Sequence, residues 1–153
     1  MTTAEFRAVT AEETRALGAR LAALLGPGDL VVLSGPLGAG KTTLVQGVAE
    51  GLKVRGPITS PTFVIARVHP SLSGGPALVH ADAYRLGGTL EVDDLDLDAS
   101  LEESVTVVEW GEGLVEGLSE DRLEIHVERG AEGEERRVRV TGVGPRWSEI
   151  SLA

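Results

Sequence analysis

The sequence predicts an α/β protein, a three-layer sandwich around a mostly parallel, mixed central sheet that ends in a C-terminal antiparallel hairpin. Three observations carry that expectation. Residues 30–34 form a short apolar run, Leu-Val-Val-Leu-Ser, the pattern of a strand buried on both faces. A glycine-rich turn follows at once, then a segment with apolar residues at helical spacing, which is the unit that parallel sheets are built from. Residues 122–129 and 135–141 alternate around a turn at 130–134, as the two arms of a hairpin do.

Taken in order, the first helix starts at Thr10, because Glu13 three residues later completes a capping box. Leu17, Leu21, Leu24 and Leu25 then fall on one stripe, and the turn at 26–29 (Gly-Pro-Gly-Asp) stops the helix. After the strand at 30–34 and the glycine turn, Leu44, Val45, Val48, Ala49 and Leu52 mark a second amphipathic helix. Residues 63–68 and 77–80 read as two strands around a turn at 71–76. The acidic stretch from 90 to 103 reads as short helix and loop, and 105–108 (Val-Thr-Val-Val) as another buried strand. No repeat, low-complexity tract or linker divides the chain, so residues 1–153 are expected to form a single domain.

Composition narrows the class. Hydrophobic residues make up 42% and charged ones 25%, the balance of a folded soluble protein. No apolar run approaches the ~18 residues that cross a bilayer, and the first residues lack the basic and apolar stretches of a secretory signal. There is no cysteine, which excludes disulfides and thiolate chemistry and fits the cytoplasm. The net charge of −10 is concentrated: residues 91–121 carry 12 acidic and no basic side chains. That segment repels a phosphate backbone, so independent binding to nucleic acid is not expected. It is either a solvated acidic face or a docking surface for a basic partner.

Gly35-Pro36-Leu37-Gly38-Ala39-Gly40-Lys41-Thr42 matches G-x-x-x-x-G-K-[ST] in full. Glycines let such a loop turn backbone N–H groups inward onto oxyanions, beside the positive end of the following helix. The cradle is expected from Leu37, Gly38, Ala39, Gly40, Lys41, Thr42 and Thr43. Within it Lys41 reaches the β- and γ-phosphates and the Thr42 hydroxyl ligates Mg²⁺. The expected fold is therefore the P-loop NTPase-like sandwich. The guanine-reading Asn-Lys-x-Asp motif is impossible in a chain without asparagine, so ATP is the expected nucleotide. Leu72-Ser73-Gly74-Gly75 superficially matches a transporter-ATPase signature, but Pro76 follows it and the reading is a surface turn.

A phosphate loop needs a carboxylate for its metal and a group to orient water. Two carboxylates stand where apolar strands end: Asp82 after residues 77–81 and Glu109 after 105–108. Further short motifs accompany them: Ser60-Pro61-Thr62-Phe63, then His80-Ala81-Asp82-Ala83-Tyr84-Arg85, then Val108-Glu109-Trp110. In this order and spacing the set resembles the TsaE (formerly YjeE) family of bacterial ATPases, from about residue 10 to 141. That family works in threonylcarbamoylation of the adenosine beside the anticodon of certain tRNAs. Pro36 stands where the family usually has an acidic residue, and Gly111 where it often has proline.

The resemblance implies roles for particular residues. Thr62 would sit in a switch-like loop near the γ-phosphate and count with Lys41 and Asp82 as catalytic. Asp82 would also contact the nucleotide and be essential for hydrolysis, and Glu109 would help hold Mg²⁺. Trp110 would lie beside the nucleotide or else be a core tryptophan, and His80 is either a structural or a catalytic histidine. Ala11 and Gly133 are candidates for the base pocket. The implied partners are the TsaD–TsaB pair, with tRNA met only through the complex, no membrane, and a monomer when free. The implied function is Mg²⁺-dependent ATP hydrolysis supporting turnover of that pair, weak alone and stimulated by the partner. A small-molecule kinase and a non-hydrolysing nucleotide sensor are the rival readings. Residues 86–121 contain no Lys or Arg, which argues against a kinase-like basic lid there.

Overall fold

Seven strands among the described residues form one sheet, with two helices packed on it. The computed structural model describes residues 2–35, 40–54, 66–72, 74–82, 104–109, 121–130 and 135–147, with backbone alone at 2, 66–68, 81 and 82. In chain order the elements are β1 (Thr2–Ala8), α1 (Ala11–Ala22), β2 (Leu30–Ser34), α2 (Lys41–Leu52), β3 (Ala66–His69), β4 (Ala77–Asp82), β5 (Ser104–Glu109), β6 (Arg122–Arg129) and β7 (Arg136–Val143). A 3-10 turn at Pro145–Trp147 follows. The sheet order is β1-β7-β6-β2-β5-β4-β3.

β6, β2, β5 and β4 pair in parallel, and β1/β7, β7/β6 and β4/β3 pair antiparallel. Half of the pairings are thus parallel. In direction the sheet is more uniform, because β1 runs with β6 and only β7 and β3 are reversed. β2 sits at the centre between β5 and β6, and its first four residues are buried. That position explains why its sequence is an unbroken apolar run rather than an alternating one.

The expected α1 begins as read: Thr10 accepts from the Glu13 N–H and Glu13 reaches back to the Thr10 N–H. Such a cap contributes about 1 kcal/mol. The helix ends at Ala22, earlier than the turn at 26–29. Leu24 and Leu25 donate to the carbonyls of Leu21 and Ala22 in i→i+3 bonds, and both leucines still pack on the core. A tightened exit keeps their side chains on the buried side without continuing the α-helix.

The two helices lie unusually close. A methyl group on Gly47 would collide with the Arg15 carbonyl oxygen, and one on Gly18 with that of Leu44. Glycine at both positions therefore sets the helix spacing. Leu17 and Leu21 from α1 and Leu44, Val45 and Val48 from α2 then meet Val31, Leu33, Val105, Val107, Leu123, Ile125, Val138 and Val140 from the sheet in one apolar core. Trp147 is fully buried in the same core. Next to it, Arg146 grips both oxygens of the buried Asp29, with Nη2 at 2.7 Å from Oδ2. The carboxylate holds that guanidinium above its ordinary pKa and fastens the C-terminal turn to the loop that feeds β2. The acidic stretch 90–103, expected as short helix and loop, lies outside the described residues.

One strand escaped the sequence reading. β1 pairs with β7 along its whole length, and Ala4, Phe6 and Ala8 turn towards the core. The alternation of these residues with Thr3, Glu5 and Arg7 is the signal that would have found it. β3 covers 66–69 rather than 63–68, residues 63–65 lying outside the described ones, and β7 runs to Val143. Leu72 is 69% exposed in the turn between β3 and β4, in keeping with a surface turn.

Candidate functional site

β2 delivers the chain to Gly35, whose φ is 140°. The Gly35 backbone lies so close to the Val127 carbonyl of β6 that a methyl group there would collide with it. The chain is described again from Gly40, at φ 97°, a conformation that suits glycine. Gly40 precedes α2 and offers no capping side chain. The N-terminal end of α2 therefore presents backbone N–H groups and the positive end of the helix dipole.

Lys41 opens α2 and is 6% exposed. Its Nζ donates to the Gly35 carbonyl at 2.6 Å, so the ammonium bends back across the mouth of the loop. A buried ammonium needs such acceptors. Thr42 and Thr43 follow in the first helical turn and are half-buried. The stem of Arg136, at the start of β7, lies against Gly40, with Nε 3.3 Å from where a side chain would begin. At the end of β2, Ser34 meets His126 of β6 at 3.0 Å from Nδ1, and the other ring nitrogen of that histidine lies 2.9 Å from Glu128.

Two strands bring the carboxylates to the same edge. In the sheet register Leu33 faces Glu109, and Glu109 faces Asp82. The three positions form one row across β2, β5 and β4, about 4.8 Å from strand to strand. This is the carboxyl end of the parallel strands, where open α/β sheets bind ligands. The Glu109 side chain is buried, and Nε2 of the fully buried His80 lies 3.4 Å from its Oε2. Among the described residues neither ring nitrogen of His80 has a hydrogen-bond partner.

Of the residues expected at the site, the structure thus gathers Gly40, Lys41, Thr42 and Thr43 at one helix end and sets Asp82 beside Glu109 in register. Ala11 is the exposed first residue of α1, the helix that packs along α2. Leu37, Gly38, Ala39, Thr62, Trp110 and Gly133 lie outside the described residues. Sequence reasoning missed Arg136. Its approach to Gly40 depends on where the hairpin docks, which no local pattern records.

A divalent cation can be tested against these residues. The buried Glu109 carboxylate is a hard oxygen donor, and its described partner is one histidine at more than ordinary hydrogen-bond length. Thr42 adds a hydroxyl. No three His, Cys, Asp or Glu side chains among the described residues cluster into a metal site of their own. The set fits Mg²⁺ taken up with phosphate and water, since that ion is commonly held by one or two carboxylates plus a substrate.

A family model described as "Threonylcarbamoyl adenosine biosynthesis protein TsaE" matches residues 8–138. The chain is 65% identical over 143 residues to the tRNA threonylcarbamoyladenosine biosynthesis protein TsaE of Streptomyces coelicolor, covering 91% of this chain and 97% of that one. The protein of the same name from Bacillus subtilis is 39% identical over 147 residues, covering 95% and 90%. The crystal structure of Bacillus subtilis YdiB superposes with a TM-score of 0.77 at 36% identity, covering 95% of this chain and 89% of that one. Among the described residues no helix is long and apolar enough to cross a membrane.

Proposed function

This chain belongs to the TsaE family, and on that premise we propose that it is a cytoplasmic Mg²⁺-dependent ATPase serving the assembly that makes N6-threonylcarbamoyladenosine in tRNA. The observation that supports the reading is the register that sets Glu109 beside Leu33 and Asp82 beside Glu109 at the carboxyl edge of three neighbouring strands, with Lys41 bonded to the Gly35 carbonyl just past β2. A turn of glycines alone would not need two strand-end carboxylates beside it.

On this reading Lys41 exchanges the Gly35 carbonyl for the β- and γ-phosphate oxygens of ATP. The N–H groups of residues 37–43 cradle the same phosphates. Thr42 and Glu109 would hold Mg²⁺, which when bound neutralises the phosphate charge that builds up during transfer. Asp82 orients and deprotonates the attacking water, and Thr62 lies close to the γ-phosphate. Ala11, Trp110 and Gly133 form the nucleoside side of the site. The partner is the TsaD–TsaB pair, and tRNA is met only through it. The acidic segment 91–121 is a candidate docking face, the alternative being a solvated surface; its sign would speed encounter with a basic patch and the attraction would weaken with salt.

Phosphate release measured with and without the TsaD–TsaB pair from the same organism tests this. The expected result is slow release alone and a several-fold or greater rise with the pair, against albumin at matched ionic strength. A protein that binds ATP but is neither bound nor stimulated by the pair, in cells whose tRNA is modified equally well without it, would overturn the assignment. Transfer of phosphate to a small acceptor instead of water would favour the kinase reading.

A further inference from the structure

We propose that His80 is a positioning residue for the cation-holding carboxylate: its Nε2–H donates to Oε2 of Glu109 and leaves Oε1 to face the metal. The inference rests on the reading of Glu109 as a Mg²⁺ ligand. Three observations carry it.

The first is cost. His80 is fully buried in β4, and among the described residues neither ring nitrogen has a hydrogen-bond partner. On β4 and β5 its neighbours Leu78, Val79 and Val107 are apolar and buried, and on β3 it pairs in register with Arg67. A residue serving packing alone would be better replaced there by leucine, because burying an unpaired polar ring is unfavourable. The second is aim. His80 pairs with Val107 and Asp82 with Glu109 in the β4/β5 register, and His80 Nε2 comes to 3.4 Å from Glu109 Oε2. A small reorientation of ring and carboxylate would align this contact into a hydrogen bond, as sites often do when loaded.

The third is chemistry. A carboxylate only accepts, so a hydrogen bond between the two groups requires the proton on Nε2. A carboxylate tied by one oxygen cannot rotate freely about its last bond. It then presents a defined lone pair to a cation that tolerates little error in geometry. Partners of this outer kind orient ligands without touching the metal.

Two substitutions separate hydrogen bonding from packing. In His80→Gln the amide N–H reaches the place of Nε2–H, whereas in His80→Asn it ends near Nδ1 and cannot reach Glu109. The measurement is Mn²⁺ binding to the protein with ADP, read from the free Mn²⁺ signal in electron paramagnetic resonance. ADP affinity in EDTA and the melting temperature are recorded for each variant. The expectation is that His80→Gln binds Mn²⁺ within about 3-fold of the native protein, while His80→Asn loses about 10-fold or more. Metal-free ADP binding should be unchanged in both. Equal Mn²⁺ affinity in the two variants, whether both native-like or both weak, overturns the proposal. Glu109→Ala, run in parallel, distinguishes the levels. If it keeps native Mn²⁺ affinity, the reading of Glu109 falls and this inference with it. If it loses Mn²⁺ while both His80 variants retain it, this inference alone falls.

Discussion

Lys41 and Gly35 are joined by a 2.6 Å hydrogen bond from the ammonium to the carbonyl, so the cation of the phosphate loop is folded onto the loop's own first residue. On the proposed reading the bond keeps Lys41 exchangeable, since a phosphate oxygen is a stronger acceptor than a peptide carbonyl. Lys41→Ala should therefore weaken Mg²⁺-ATP binding by about 10-fold or more, the loss expected for a charge-assisted contact of ~1.5–3 kcal/mol. Calorimetric titration of the folded variant checks this, and unchanged affinity would remove Lys41 from the phosphate site.

The neighbouring carboxylates should divide their work. Asp82→Asn is expected to bind ATP and lose most hydrolysis, because an amide does not take a proton from water. Glu109→Ala should instead raise the Mg²⁺ concentration needed for tight nucleotide binding. Parallel titrations of rate and affinity separate the two, and native-rate hydrolysis by Asp82→Asn would clear that residue of a catalytic role.

The close approach of α1 and α2 makes a stability prediction. Gly47→Ala forces a methyl group into the Arg15 carbonyl, and overpacking of this kind costs about 1–3 kcal/mol. For a chain of this length each kcal/mol lowers the melting temperature by roughly 2–4 °C. Gly26→Ala is the control, as a methyl group there meets nothing within 4 Å. Equal melting temperatures for the two variants would count against the described helix spacing.

Arg7 ties β1 to the start of β7 by a 2.6 Å hydrogen bond to Glu135. That bond holds the Glu135 carboxyl below the ordinary glutamate range. A depressed folded-state pKa contributes stability above the unfolded value and loses it as pH falls through the folded one. The contribution should be complete at neutral pH, begin to fall below about 4.3, the ordinary glutamate value, and be gone once pH drops below the depressed folded-state value. In Arg7→Ala the Glu135 titration, followed by carboxyl NMR, should move up to that ordinary value. The variant's melting temperature should also fall less between pH 7 and pH 3 than the native protein's does. A Glu135 titration unmoved by the substitution would show that Arg7 is not its cause.

Much of the fold around the candidate site was legible because its signals are local. The Thr10–Glu13 cap, the unbroken apolar run of β2, the spacing from Gly35 to Thr42 and the helical stripe of α2 each depend on residues within a turn or two of one another. The backbone preferences behind them act over the same distance. The strand-end placement of Asp82 and Glu109 was legible for the same reason, as charges closing apolar runs. β1 was passed over although its alternation is there to read, because a seven-residue edge strand gives a weak signal until its partner is known. What only the tertiary structure decided is who stands beside whom. Non-local pairing put β2 between β5 and β6, which aligned Leu33, Glu109 and Asp82 in one row. The same pairing brought His80 within 3.4 Å of Glu109 and laid Arg136 against Gly40. Strand order and register are set by packing over the whole sheet, and a one-residue slip would turn each of these side chains to the other face.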